Sequence, residues 1–346
     1  MDFGLDTFGD VTRDAAGRLL PQDQVLRNVV AEAVLADQVG VDVIALGEHH
    51  RDDFAISAPE ILLANIAART QRIRLATGVT VLSTDDPIRL YQRFSTLNAI
   101  SGGRGEVILG RGSFTESYPL FGHDMRNYET LFEEKLDLFA TVNRGGKVSW
   151  KGQHRDPVKV DAVYPPAGPG GISAWIGVGG SPESVVRAVR YDMPMMLAII
   201  GGDPRRFKPF VQLYHDAHRQ IGTAPKPLGV HSPGLIADTD EAAREAAYVG
   251  YKALHDRIGR ERGWPPITKD AFLHEVERGS QYVGSPETVA RKIASTVQAL
   301  GLQRFSMKYS AGTTPHADLM RSVELYGTRV IPMVRDLLTA APARAH

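Results

Sequence analysis

Val41-Asp42-Val43-Ile44-Ala45-Leu46 is a short apolar run rich in β-branched residues, and Gly47-Glu48-His49-His50-Arg51-Asp52-Asp53 follows it directly. The first half reads as a buried strand. The second half places two adjacent imidazoles and three acidic groups where that strand ends. In a β/α protein, ligands and catalysts collect at such ends, because the loops vary freely over a rigid scaffold. Successive side chains of a strand point to opposite faces, so His49 and His50 cannot both face one pocket unless the chain has already turned into loop. One of them is expected to work in a site, and the other to pack or bond behind it.

Outward from this stretch the pattern alternates. Phe3 to Phe8 reads as a first strand, and Val25 to Val39 carries apolar residues at helical spacing before Gly40 stops it. After Glu48-His49-His50, Ala58-Pro59-Glu60 opens a helix running to about Thr70, with proline near its start. Ile73 to Leu82 is a strand, Pro87 to Ile100 a helix, Gly105 to Gly110 a short strand, and Tyr128 to Val142 a helix. Trp175 to Val178, Met195 to Ile200, Leu228 to Ala237 and Gln303 to Lys308 complete eight strands. Helices over Ser181 to Tyr191, Phe207 to Ile221, Glu241 to Ile258, Pro286 to Leu300 and His316 to Leu338 stand among and after them.

Eight such repeats favour the α/β class and a closed (β/α)8 TIM barrel over an open doubly wound sheet. No linker divides the chain, so residues 1–346 read as one domain. Two excursions are expected, about 145–171 after strand 4 and about 259–284 after strand 7, where Gly, Pro and short alternating pieces interrupt the pattern. A frayed tail is expected over Thr339 to His346.

Composition narrows the function classes. Among 346 residues, 40 basic and 40 acidic side chains cancel, so there is no global field for nucleic acid or an anionic membrane. Cysteine is absent (0 residues), which excludes disulfides, thiol nucleophiles, cysteine-zinc sites and iron–sulfur clusters. The first residues, Met1-Asp2-Phe3-Gly4-Leu5-Asp6, lack the basic start and apolar core of a signal peptide, and no run approaches the roughly 20 apolar residues of a membrane span. A cytoplasmic protein is the default expectation.

Gly-Ser-Pro-Glu followed by Ser or Thr occurs twice, at Gly180 to Ser184 and at Gly284 to Thr288. Serine as N-cap, proline at the first helical position and glutamate in the first turn form a strong helix start, so either copy by itself need only be a cap. The first copy adds Gly177, Gly179 and Gly180, which let an oxyanion approach the backbone, and the hydroxyls of Ser181 and Ser184. It is a candidate phosphate cradle, although neither the dinucleotide fingerprint nor a Walker loop is present. Arg111, between Gly110 and Gly112 at a strand's carboxyl end, suits bidentate phosphate recognition or else a structural ion pair. Phe114, Tyr118, Phe121 and His123 line the loop after Arg111 and either wall an apolar pocket or fill the core under that loop. Adjacent histidines on one strand, with no downstream cluster of His and Asp, argue against a metal site. A serine hydrolase lacks its Gly-x-Ser-x-Gly elbow.

Taken in order, these pieces resemble the bacterial luciferase-like flavin-dependent monooxygenases, of the FMN-using branch, over nearly the whole chain. The pieces are Met1-Asp2-Phe3-Gly4, Glu48-His49-His50, Thr77-Gly78-Val79 and Ser101-Gly102-Gly103-Arg104. Gly110-Arg111-Gly112, Gly179-Gly180-Ser181 and Val283-Gly284-Ser285-Pro286-Glu287 continue the series, and the closing helix ends it. The resemblance implies an enzyme in which reduced FMN and dioxygen oxygenate a small organic substrate through a peroxyflavin. It assigns His49 as catalytic, with Glu48 or Asp52 orienting it. Arg111, Gly180, Ser181 and Ser184 would hold the FMN phosphate, Gly78 and Val79 would lie beside the flavin at a non-proline cis peptide, and Phe8, Phe114 and Tyr118 would line the substrate pocket. A separate flavin reductase would supply the reduced cofactor, and a homodimer would form through helices such as Ala58 to Thr70. Where the family often has histidine before the proline after the third strand, this chain has Asp85-Asp86-Pro87, so substrate contacts on that loop do not carry over. Two other readings fit the same barrel: a deazaflavin-dependent oxidoreductase transferring hydride, and a flavin-binding protein without turnover.

Overall fold

The computed structural model describes residues 1–14 and 16–340. Its strands are β1 (Asp2–Thr7), β2 (Val43–Leu46), β3 (Arg74–Thr77), β4 (Thr80–Val81), β5 (Glu106–Gly110), β6 (Val148–Trp150) and β7 (Val158–Val160). They continue with β8 (Ser173–Val178), β9 (Met195–Ala198), β10 (Leu228–Ile236), β11 (Tyr282–Gly284) and β12 (Arg304–Lys308). The run expected as one strand over Ile73 to Leu82 is divided into β3 and β4 at Gly78-Val79, whose peptide bond is cis. β3 pairs with β2 and β4 with β5, so one interrupted strand joins both ends of the path β3-β2-β1-β12-β10-β9-β8-β5-β4. The eight parallel positions close into a TIM barrel, as the alternation of elements requires.

Alternation along each strand sorts the side chains into two cores. Phe3, Leu5, Ile44, Leu46, Phe305 and Met307 face outward into one continuous apolar layer with helix residues such as Ala33, Ile66, Phe94 and Ile293. Each such buried side chain contributes about 1.5–3 kcal/mol of transfer free energy. The barrel interior is smaller and mixed. Val43, Ala45 and Ala76 form one apolar patch, and Ile108, Trp175 and Met196 with Val79 another. One end holds a buried ion pair, Arg304 with Glu106, and that guanidinium lies 4.1 Å over the Trp175 ring.

The helices begin where the sequence caps them. Asp86 accepts from Ile88 N (2.9 Å) and Arg89 N (3.0 Å) to start Pro87–Ile100. Ser285 caps Pro286–Leu300, which ends at Gly301 with φ 64°, a left-handed value suited to glycine.

Two expectations need correction. The excursion over 145–171 contains the antiparallel pair β6–β7, but 259–284 is less irregular than its Trp264-Pro265-Pro266 breaker suggests. The preceding helix continues to Arg262, Lys269–Glu277 is helical, and β11 joins β10 in parallel. Three residues are too few to carry a strand signal. The closing helix changes to a π-turn over Tyr326–Val330 just ahead of Pro332, whose missing N–H cannot continue the α pattern. Thr339 and Ala340 lie in that helix, and the rest of the expected tail, 341–346, lies outside the described residues. Among the described residues no helix is long and apolar enough to cross a membrane.

Candidate active site

At the carboxyl end of β2 the chain leaves the sheet and the two histidines separate. His50 Nε2 lies 2.9 Å from Glu48 Oε1, and the other oxygen of Glu48 accepts from Val81 N at 2.9 Å. His50 is therefore the member held behind, and Glu48 serves it and β4. His49 faces the barrel mouth, its ring 4.4 Å from Phe8, 4.6 Å from Phe54 and 5.0 Å from Phe114. The expectation that Glu48 or Asp52 orients His49 is wrong. Glu48 is consumed by His50, and exposed Asp52 pairs with Arg257. Among the described residues neither ring nitrogen of His49 takes a side-chain hydrogen bond; its backbone N–H donates to Ile56 O at 2.9 Å.

Burial among these rings pushes the His49 imidazole down to about 3, helped by the nearby Lys308 ammonium and opposed by Asp10. The ring is neutral across the physiological range, so it can accept a proton but does not arrive carrying one. Lys308 is fixed under the site. Its Nζ lies 4.5 Å from the Phe8 ring centre and 3.0 Å from Asp10 Oδ2. A second imidazole, His231 on β10, bonds Asp6 Oδ2 at 2.9 Å and lies nearly parallel to Phe8 at 6.4 Å. Asp6 Oδ1 is buried without a partner. Asp6 and His231 escaped the sequence reading, although the alternation Phe3-Gly4-Leu5-Asp6 does direct Asp6 inward.

Glycines shape the mouth. A Cβ on Gly47 would lie 2.3 Å from Phe8 Cδ1, and one on Gly110 would lie 2.6 Å from Val79 Cγ2. Phe8 and Val79 thus occupy space that only glycine leaves free. A Cβ on Gly179 or Gly201 would meet nothing within 4 Å, so the rim beside β8 and β9 is open. Gly78 and Val79, joined by the cis bond, lie between the His49 loop and Gly110.

The two Gly-Ser-Pro-Glu copies diverge in their surroundings. In the second, Asp240 accepts from Ser285 N (2.7 Å) and Thr288 Oγ1 (3.0 Å), so a carboxylate occupies the helix mouth and the motif is a cap. In the first, Ser181 caps Pro182–Arg190 and its hydroxyl lies 2.8 Å from that of Ser184. Arg111 Nη2 donates to Ser184 Oγ at 3.2 Å, and Arg187 Nη1 donates to the same oxygen at 3.3 Å. Gly180 precedes the cap at φ 106°, which a side chain would strain. Arg111, Gly180, Ser181 and Ser184 therefore come together, and Arg187 joins them unforeseen. Its position three residues after Ser184 puts both on one helix face, a signal that was available.

Two guanidiniums, two hydroxyls and the positive dipole end of a nine-residue helix suit a phosphate. Three strand spacings separate this cradle from the His49 loop, on the order of 14 Å along the rim, a span for a nucleotide-sized ligand.

Of the other expected pocket residues, Phe8 and Phe114 touch His49. Tyr118 does not lie on the exposed wall. It is fully buried in the turn Ser117–Leu120, its ring 5.6 Å from Tyr128. Phe121 is half exposed against His50, and His123 contacts the Lys135 amine at 3.3 Å. Asp85 pairs with Arg93, and Asp86 with Arg155. Arg51 ties the rim together. It donates to Asp53 (2.9 Å), Glu116 (2.6 Å) and Glu261 (2.6 Å), and it lies 4.8 Å over Phe114. Among the described residues no group of three or more His, Asp or Glu is arranged to hold a metal ion.

The chain is similar to known proteins in sequence and in fold. The alkanal monooxygenase alpha chain of Photorhabdus luminescens is 21% identical over 343 residues, covering 91% of this chain and 93% of that one. A monooxygenase structure from Streptomyces bottropensis superimposes with a TM-score of 0.81 at 22% identity, over 96% of this chain and 99% of that one. The oxygenating constituent of 3,6-diketocamphane monooxygenase from Pseudomonas putida, solved with FMN, gives 0.77 at 21% identity, over 96% and 98%. An F420-dependent secondary alcohol dehydrogenase gives 0.72 at 17% identity, over 97% and 100%. The model of the luciferase-like monooxygenases matches residues 1–304, and the chain belongs to that family.

Proposed function

We propose that this protein is a monooxygenase that uses reduced FMN and dioxygen to oxygenate a small organic substrate. One observation carries the reading: Arg111 and the helix start at Ser181 and Ser184 form an anion cradle on the same rim as His49, an imidazole packed among Phe8, Phe54 and Phe114. When bound, the reduced flavin supplies the electrons with which dioxygen is activated. The chain's own residues do the rest. Arg111, the hydroxyls of Ser181 and Ser184 and the backbone N–H groups of Gly180 and Ser181 hold the phosphate, while Gly78 and Val79 border the ring. His49, neutral at working pH, accepts a proton at a ring nitrogen and returns it. Phe8, Phe54 and Phe114 close over that imidazole and exclude water, which strengthens polar interactions inside the mouth.

Nothing in the anion cradle offers a nicotinamide site, so a separate reductase would supply the reduced flavin. Assembly as a homodimer through Pro59–Ala67 is part of the same proposal, supported by Ile61, which is 73% exposed there.

The test is an anaerobic titration with reduced FMN and, separately, with a reduced deazaflavin. Air and a panel of small organic substrates then follow, with oxygen uptake recorded and products read by mass spectrometry. The proposal expects FMN binding and substrate-dependent oxygen uptake with one oxygen atom in the product. Binding of the deazaflavin alone, with hydride transfer and no oxygen uptake, would replace it with the dehydrogenase reading. FMN binding without any product would leave a binding protein.

A further inference from the structure

We propose that Glu129 is a built-in counter-anion of the phosphate cradle, displaced by a terminal phosphate, and that Arg187 is the second guanidinium that then receives that phosphate. The inference rests on the flavin reading for the identity of the ligand, but not for the chemistry of the anion.

The residues set this out by their contacts. Arg111 and Arg187 donate to one oxygen, Ser184 Oγ, from two directions at 3.2 and 3.3 Å. Two cations so close repel unless an anion lies between them. Glu129, in the first turn of the helix Tyr128–Asn143, supplies it. One of its oxygens pairs with Arg111 Nη1, and the other lies 3.8 Å from Arg187 Nη2. Its side chain is 62% exposed, whereas that of Arg187 is only 10% exposed. Solvent screens the pairing of a carboxylate this exposed, so Glu129 can turn into water at little cost.

Glu133 behaves differently. It accepts from Arg187 Nε at 2.5 Å and from Arg190 Nη1 at 3.3 Å, which holds the Arg187 fork with its outer nitrogens toward Ser184. Of the two carboxylates, Glu133 positions and Glu129 yields. With Glu129 in place the two arginines are neutralised by two glutamates, and an arriving dianion meets a like charge. With Glu129 rotated away, one dianion faces two guanidiniums, two hydroxyls and a helix mouth. Three unesterified oxygens can use this donor set, whereas a phosphodiester inside a longer chain offers two. The cradle thus selects a terminal phosphomonoester.

The experiment compares wild type, Glu129→Gln and Arg187→Gln at low ionic strength. Oxidised FMN and riboflavin are titrated by flavin fluorescence, and inorganic phosphate by chemical shifts of arginine side-chain N–H groups. Glu129→Gln is expected to tighten FMN and phosphate three- to tenfold and leave riboflavin unchanged. Arg187→Gln is expected to weaken FMN at least tenfold, again without effect on riboflavin. Equal or weaker FMN and phosphate binding in Glu129→Gln overturns the counter-anion, and that variant alters only an exposed side chain, so folding does not cloud it. Parallel losses for FMN and riboflavin in Arg187→Gln would reduce Arg187 to a structural residue and overturn its part. If phosphate follows the expected order while no flavin binds, the cradle stands and the flavin reading falls.

Discussion

Replacing Arg51 by Ala is expected to loosen the rim of the barrel without unfolding the barrel. The Arg51 side chain is 7% exposed and joins three segments that are distant in sequence: its own loop through Asp53, the loop after β5 through Glu116, and the end of the helix Asp240–Arg262 through Glu261. These contacts differ in worth. The Asp53 carboxylate is 12% exposed and keeps Arg257 at 3.1 Å after the change, so it is not stranded. Glu116 and Glu261, 32% and 45% exposed, return to water, and their pairs are discounted for screening. One partly buried charge-assisted bond, two screened pairs and a cation over Phe114 come to about 2–3 kcal/mol. Because the segments are loops and a helix end at the rim, that energy is lost from local opening and not from the global fold. Opening of the segments 113–121 and 257–264 should rise roughly 30- to 150-fold. Hydrogen–deuterium exchange by mass spectrometry reads this directly, with barrel-strand peptides as the internal control. Unchanged protection in those two segments, or an equal loss spread over the strands, would refute the latch.

Two further outcomes follow from buried charge. His49 is neutral in the fold and takes up a proton only near 3, whereas the unfolded chain does so near 6.5, so its contribution is fully present above pH 6.5. It is lost as pH falls from there toward 3, at roughly 1 kcal/mol per pH unit below pH 6. Urea titrations of wild type and His49→Gln should therefore converge as the buffer is acidified, and parallel curves would contradict a neutral imidazole held among the aromatic rings. Arg304→Met should cost about 3–5 kcal/mol by leaving Glu106, itself 2% exposed, as an unpaired buried charge. Adding Glu106→Leu should recover most of that loss, and a double variant no more stable than the single would show that the pair is not the cause.

Much of the fold is legible in the chain because its signals are local. Asp86-Pro87, Ser181-Pro182 and Ser285-Pro286 mark helix starts, and Val41 to Leu46 marks a buried strand, without reference to any distant residue. The cis peptide at Gly78-Val79 follows from the family resemblance and is present, whereas the short β11 is not legible, since it depends on pairing with residues 48 positions earlier in β10. The site divides the same way. Arg111, Ser181 and His49 lie at strand ends that the pattern identifies. The partner of His50, the Asp6–His231 bond and the tie between Arg51 and Glu261, 210 residues apart, exist only after the barrel closes. The two Gly-Ser-Pro-Glu copies make the limit plain. They are alike as sequence, and the difference between cap and cradle lies in what approaches them, Asp240 in one case and two arginines in the other.

The most direct measurement of the central claim, that Arg111 and the Ser181–Ser184 helix start anchor a flavin phosphate, is the ratio of riboflavin to FMN dissociation constants in the wild-type protein. Charge-assisted contacts worth about 1.5–3 kcal/mol each predict a ratio of roughly 100 or more, falling as salt is added. Equal dissociation constants at low salt would contradict the account.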